Sequence, residues 1–200
     1  MKHHADSANA PVLVGITGAS GSIYALKLIE LLKEAGEETH LVISEAGEKV
    51  AAHELGQRGL ETITELADHL YGIREIWAPP ASGSTCWKAM FIVPCTMGTL
   101  GSVARGISAN LIHRAADCFL KERRRVVLVV RETPLNRIHI ENMLAAHKAG
   151  AVIFPAMPAF YNHPGDIEEM AAMLAARVAE QGGIDVNMEG KRWQGRISNK

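Results

Sequence analysis
A chain of 200 residues, 48% hydrophobic and 22% charged, is sized and composed for one soluble globular domain. A formal net charge of −1 gives no footing for general binding of nucleic acid or an anionic membrane surface. No apolar run approaches the roughly 20 residues that span a bilayer, and three widely spaced cysteines (Cys86, Cys95, Cys118) fit a reducing cytoplasm better than a disulfide framework.

Residues 1–10, MKHHADSANA, lack the apolar centre of a secretory signal and read as a loose tail, with no function assigned to His3 or His4. The first strand-like run, VLVGI (12–16), leads through TGASG into a helical pattern near 22–35. THLVIS (39–44) is followed by helical patterns near 46–56 and 60–70. APPASGST (78–85) is the most loop-like interior segment. MFIVP (90–94) then precedes helices near 97–105 and 110–124, VVLVV (126–130) precedes one over 137–149, and AVIFP (151–155) the last, over 166–180. Strands apolar throughout and separated by helices imply a parallel sheet covered on both faces. The expected fold is a three-layer, doubly wound α/β domain of Rossmann or flavodoxin-like type, single over 11–185. Ligands of such sheets sit beyond the C-terminal ends of the strands. The segments to interrogate are therefore TGASG, SEAG, PCTMGT, RETP and PAFYN.

GITGASGS follows a strand and opens a helix, the context in which backbone N–H groups hold an anion. The plain alternative is a tight turn with no ligand. A dinucleotide is the rival ligand, and three observations weaken it. An extended dehydrogenase fingerprint wants Gly at position 24, where Tyr24 stands. The second strand ends at Ser44 rather than at an acid able to grip a ribose. No tyrosine has a lysine four residues later, as short-chain dehydrogenases require. Ser44 suits a mononucleotide phosphate or ribityl chain as easily.

Taken together, TGASGSIY (17–24), HLVIS (40–44), PPASGS (79–84), PCTMGTL (94–100), NLIHRAADCFLKERR (110–124), VVRETPL (129–135), IHIENM (138–143), GAVIFPAMPAFY (150–161) and RWQG (192–195) resemble the flavin prenyltransferase (UbiX) family. The segments run in order along nearly the whole chain. The resemblance implies transfer of a dimethylallyl group from dimethylallyl phosphate to N5 and C6 of reduced FMN. The product, prenylated FMN, would serve a UbiD-like decarboxylase, commonly in ubiquinone biosynthesis. It also implies a cytoplasmic homo-oligomer, a dodecamer, with sites at subunit junctions, and no nucleic-acid or membrane partner.

Residue by residue, the resemblance assigns FMN to Gly18, Ala19, Ser20, Ser44, Thr96, Met97, Gly98, Thr99 and Arg131. Lys121, Arg131, Glu132, Tyr161 and Arg177 receive the substrate phosphate. No metal is implied, so fixed cations must stabilise the leaving group. Ser20 and Glu54 form the proton relay for ring closure, with Glu132, Lys121 and Trp193 completing the catalytic set. Ser82, Gly83 and Ser84 line the pocket, and the C-terminal tail, 186–200, contributes to the site or to subunit contacts.

Plainer readings stand beside these. Arg123, Arg124 and Arg125 read as a solvated helix end, Arg177 as a surface charge, Tyr161 as a loop anchor and Glu54 as a surface glutamate. Thr96 keeps the hydroxyl of the Ser often found in relatives. Cys86 and Trp87 either reshape the prenyl end of the pocket or pack between subunits. Asn110, Arg114 and Asp117 serve an interface or support the site from behind. The nine histidines show no ligand spacing of the His-Glu-x-x-His kind, so no metal site is expected. Three other functions compete: an FMN-dependent cysteine decarboxylase, a non-catalytic FMN protein, and direct decarboxylation of an aromatic acid. PAMPAFYN lacks the Pro-x-Met-Asn segment of the first.

Overall fold
The computed structural model describes residues 10–186; His3, His4 and Trp193, with the RWQG segment, lie outside the described residues. Strands and helices alternate as β1 (Val12–Ile16), α1 (Ser22–Glu34), β2 (Thr39–Ile43), α2 (Glu45–Leu66), β3 (His69–Tyr71), β4 (Ala89–Cys95), α3 (Met97–Ala104), α4 (Leu111–Lys121), β5 (Arg125–Val130), α5 (Arg137–Lys148), β6 (Val152–Pro155) and α6 (Ile167–Gln181). The six strands pair in parallel in the order β3-β2-β1-β4-β5-β6.

Strand alternation builds the two outer layers. Val12, Val14, Ile16, Phe91, Val127 and Val129 project to one face and are buried with residues of α1, α2 and α6. Leu13, Val42, Met90, Ile92, Val126 and Leu128 project to the other, against α3, α4 and α5. Burying one such side chain contributes roughly 1.5–3 kcal/mol, so both sheet faces are committed. The three-layer, doubly wound architecture is the one the apolar runs implied.

Two details differ from the sequence reading. The helical patterns near 46–56 and 60–70 are one element, α2, interrupted at Gly56, whose φ of +72° and ψ of 169° leave the helical region. The second pattern also ends earlier, at Leu66, because His69–Tyr71 forms a strand. β3 pairs only with β2 and is largely exposed. A three-residue edge strand without an apolar run carries no period-2 signal.

Chain direction reverses across the sheet between β1 and β4, which lie side by side. At such a switch point the connections leave to opposite faces and a crevice opens beyond the C-terminal strand ends. The residues framing it are Thr17–Gly21 after β1 and Thr96–Thr99 after β4.

Candidate active site
The turn after β1 is built around two glycines. Gly18 lies so close to α2 that a Cβ there would stand 2.5 Å from the Ala46 Cβ. Gly21 caps α1 with φ +111°, a left-handed conformation that an L side chain resists. Between them Ser20 is exposed at the rim of the crevice and Ala19 is buried.

The Glu54 carboxylate reaches this turn from α2. It accepts from the Gly21 N–H at 3.1 and 2.9 Å and from the Ser22 N–H at 2.7 Å. Burial works to raise its pKa. Hydrogen bonds from the Ser20 hydroxyl, the Ser22 and Gly21 amides and the Ser22 hydroxyl outweigh that, and the pKa is lowered from 4.5. Glu54 is therefore an ionised acceptor paired with Ser20, more than a surface glutamate. The pairing also narrows the phosphate-cradle reading of GITGASG: the first amides of α1 already hold a carboxylate.

Two other helix starts face the same crevice. Ser44 caps α2, its hydroxyl accepting from the Gly47 N–H at 3.0 Å. Thr96 caps α3, accepting from the Thr99 N–H at 3.1 Å. Thr17 ties these ends together, donating to the Pro94 carbonyl at 2.7 Å and accepting from the Thr96 N–H at 2.9 Å. With Met97 and Gly98 at its first two positions, α3 has the N-terminus best placed for a phosphate. Arg131 follows β5 on this rim, exposed, with Glu132 beside it. Tyr24 lies near both Arg131 and Glu54: burial raises its pKa, Arg131 lowers it and Glu54 raises it. Thr17 and Tyr24 were not anticipated as site residues. A hydroxyl buried at a strand end and a tyrosine in the first helical turn were the available signals.

Beyond β6, Tyr161 and Arg177 line one cleft of about 170 Å³ with Phe154, Met157, Met173 and Leu174. Within 171–179 of α6 Arg177 is exposed while its neighbours are mostly buried, and it pairs with Glu180 at 2.6 Å. An arginine and a phenol beside apolar walls suit a small phosphate ester with a hydrocarbon end.

The remaining predicted residues are elsewhere. Ser82, Gly83 and Ser84 precede β4, and Lys121 ends α4 just before β5, so these four lie at the N-terminal edge of the sheet. They do cluster: a Cβ on Gly83 would meet Lys121 Nζ, and Ser82 and Ser84 share a hydrogen bond of 2.8 Å. Lys121 pairs with Glu122. Six residues of β5 separate this group from Arg131, about 20 Å of strand at roughly 3.3 Å per residue.

Several secondary expectations are corrected here. Trp87 is 4% exposed and packs inside its own protomer, edge-on to His40 at 4.8 Å and 5.9 Å from Phe119. Its ring is thus engaged in the core of its own protomer. Arg124 is not a solvated helix end: its guanidinium donates to the Gly83 carbonyl at 2.8 Å and lies 5.9 Å over the Phe119 ring, holding the 82–84 loop. Asn110 is the cap of α4, accepting from the His113 N–H at 2.9 Å.

Comparison with known proteins places the arrangement. The Flavoprotein family model matches residues 1–180. A probable UbiX-like flavin prenyltransferase of Bacillus subtilis is 46% identical over 184 residues, covering 92% of this chain and 89% of the relative. The chain belongs to the flavin prenyltransferase (UbiX) family. Its fold is similar to that of AnUbiX (PadA1), solved with FMN and dimethylallyl pyrophosphate: TM-score 0.89, 40% identity, 94% of this chain and 98% of the other covered. A dodecameric FMN-dependent UbiX-like decarboxylase from Escherichia coli O157:H7 is similar with a TM-score of 0.87 and 39% identity, over 92% of this chain and all of that one. The α3 N-terminus, the Ser44 hydroxyl and Arg131 are polar groups able to hold a flavin mononucleotide at this crevice, while the close approach of Gly18 to Ala46 packs the turn against α2.

Proposed function
We propose that this chain is a flavin prenyltransferase, transferring the dimethylallyl group of dimethylallyl phosphate to reduced FMN. The observation that carries the reading is the Ser20–Glu54 pair, held by three backbone contacts at the switch-point crevice. Reduced FMN supplies the nucleophilic positions, N5 and C6, to which the five carbons become attached. Arg177 and Tyr161 bind the phosphate of the prenyl donor and stabilise its charge as the C–O bond breaks. Arg131, exposed after β5, would hold the flavin and the donor phosphate, with Glu132 orienting donors beside it. Ser20 passes the proton lost at ring closure to Glu54, which the Ser20, Gly21 and Ser22 hydrogen bonds hold as a positioned carboxylate, at the cost of a weaker base.

Lys121 and Ser82–Ser84 join the site from a second copy of the chain. The 20 Å scale of the strand keeps them from Arg131 within one protomer, and an interface would bring the N-terminal edge of one sheet to the C-terminal edge of another. Leu135, Ile138, Ile140, Leu144, Met157, Phe160 and Ile167 leave large apolar surface exposed, which supports such packing. A dodecamer, as in the Escherichia coli relative, is the proposed assembly. The product serves a UbiD-like decarboxylase. The three cysteines are free and suit a reducing cytoplasm; among the described residues no helix is long and apolar enough to cross a membrane.

Anaerobic incubation with reduced FMN and dimethylallyl phosphate, or the pyrophosphate, should yield a flavin heavier by five carbons with an altered spectrum. Unmodified FMN with both donors would overturn the activity. Mixing two impaired variants, Lys121→Ala and Arg177→Ala, after dissociation and reassembly should raise the activity above that of either alone. A reassembled mixture no faster than the variants alone would refute the shared site while leaving the activity intact.

A further inference from the structure
Outside the catalytic crevice, at the N-terminal edge of β2 and β3, two histidines and a glutamate converge. The parallel register pairs His40 of β2 with His69 of β3. Strand alternation places Glu38, two residues before His40, on that same face. One oxygen of the Glu38 carboxylate lies 3.0 Å from His40 Nε2 and 3.4 Å from His69 Nε2. One donor atom from each of the three residues falls within 4.8 Å of the others. We propose that Glu38, His40 and His69 form a binding site for a divalent zinc-class ion that clamps the edge strand β3 to β2.

The geometry matches that ion. Bonds of about 2.0–2.1 Å in a tetrahedron place donors about 3.3 Å apart, a value that the Glu38 separations of 3.0 and 3.4 Å bracket. Two imidazoles and one carboxylate with a fourth position for water form a borderline-soft set suited to Zn²⁺ rather than to Mg²⁺ or Ca²⁺. His40 is backed as a ligating histidine usually is: its other nitrogen, Nδ1, lies 2.9 Å from the Tyr71 hydroxyl, which fixes the ring and leaves Nε2 for the metal. The ring is buried against Trp87, while His69 and Glu38 are 54% and 49% exposed and can swing the last fraction of an ångström inward. The nearby charges are already paired, Lys33 with Asp68 at 2.9 Å and Lys88 with Glu37 at 2.6 and 2.5 Å. Neither lysine is therefore required to neutralise Glu38. A three-residue edge strand is the weakest-held part of this sheet, and a metal bridge between paired strands would hold it.

The experiment is titration of the full chain with ZnCl₂ against a chromogenic chelator, repeated with Co²⁺ to read visible d–d absorption. His3 and His4 offer a second pair of imidazoles, so the reference protein carries His3→Ala and His4→Ala. One ion per chain with the intense absorption of four-coordinate Co²⁺ is expected, and the exposed substitutions His69→Ala and Glu38→Gln should each weaken binding at least about tenfold, the lower end of what loss of even an outer partner costs. Zinc should also slow amide exchange in 69–71 in the reference protein and leave it unchanged in His69→Ala. Absence of stoichiometric binding in the reference protein, or binding unaffected by both substitutions, overturns the proposal. In either case Glu38 is simply a shared hydrogen-bond acceptor for two histidines.

Discussion
Replacing Glu54 by glutamine separates its two assigned tasks, capping α1 and accepting a proton. Its carboxylate takes the Gly21 and Ser22 amides at 2.7–3.1 Å together with the Ser20 hydroxyl. A hydrogen bond to a charged acceptor contributes roughly 1.5–3 kcal/mol when buried, and an anion at a helix N-terminus roughly 0.3–1 kcal/mol. Glu54 is exposed, water screens its charge, and the amide oxygen of glutamine keeps part of the bonding. The discounted loss is about 1 kcal/mol, or a Tm lower by roughly 2–4 °C in a chain of this size. The pH dependence has a definite sign. The folded pKa lies below the ordinary 4.5, so the contribution is full above 4.5 and is lost as pH falls through the folded value. The Tm gap between wild type and Glu54→Gln should therefore be complete at neutral pH and should shrink on acidification below 4.5. Catalytically, a positioned base contributes about 10²–10⁴-fold, so ring closure should slow by at least about 100-fold. Five-carbon addition should persist, visible as the mass gain without the spectrum of the closed product. Ring closure at the wild-type rate, in a variant whose Tm has fallen as expected, would refute the relay and leave Glu54 as a helix cap alone.

Gly18→Ala puts a methyl 2.5 Å from Ala46 Cβ; the turn must shift, costing roughly 1–3 kcal/mol, and thermal melting with FMN titration should show both lower Tm and weaker FMN binding. Arg177→Ala removes a charge-assisted donor to the prenyl phosphate. Its loss should slow prenyl transfer by roughly one to two decades with FMN affinity unchanged, checked by single-turnover kinetics beside flavin titration. Burial pushes the Cys95 thiol up to about 12 and also raises Cys118. Neither should react with a thiol reagent at pH 8 in the native protein, while three thiols per chain should react in denaturant; native labelling of Cys95, mapped by mass spectrometry, would contradict the packing around β4.

The fold was largely legible because its signals are local. VLVGI, MFIVP and VVLVV are apolar without alternation, which only a sheet covered on both faces explains. Ser44, Thr96 and Asn110 each stand where a hydroxyl or amide caps a helix. β3 escaped because HLY has neither length nor periodicity, and pairing with β2 alone makes it a strand. In the site, the residues after β1, β4 and β5 were legible from the rule that ligands gather at C-terminal strand ends. Arg124 was misread because a run of arginines at a helix end looks solvated until the 82–84 loop folds back onto one of them.

By itself the sequence determined the layers, the positions of the turns at the C-terminal strand ends and the family, since these depend on periodicity and on motifs short enough to act alone. Tertiary structure alone decided which partners meet. Glu54 reaches Gly21 across 33 residues because α2 packs beside the β1–α1 turn, and His40 meets His69 because β2 and β3 pair in that register. Lys121 and Arg131, both assigned to the substrate phosphate by resemblance, lie at opposite ends of β5 because a parallel crossover must return each helix to the start of the next strand. No local pattern encodes those distances; they follow from how rigid elements of fixed length pack together.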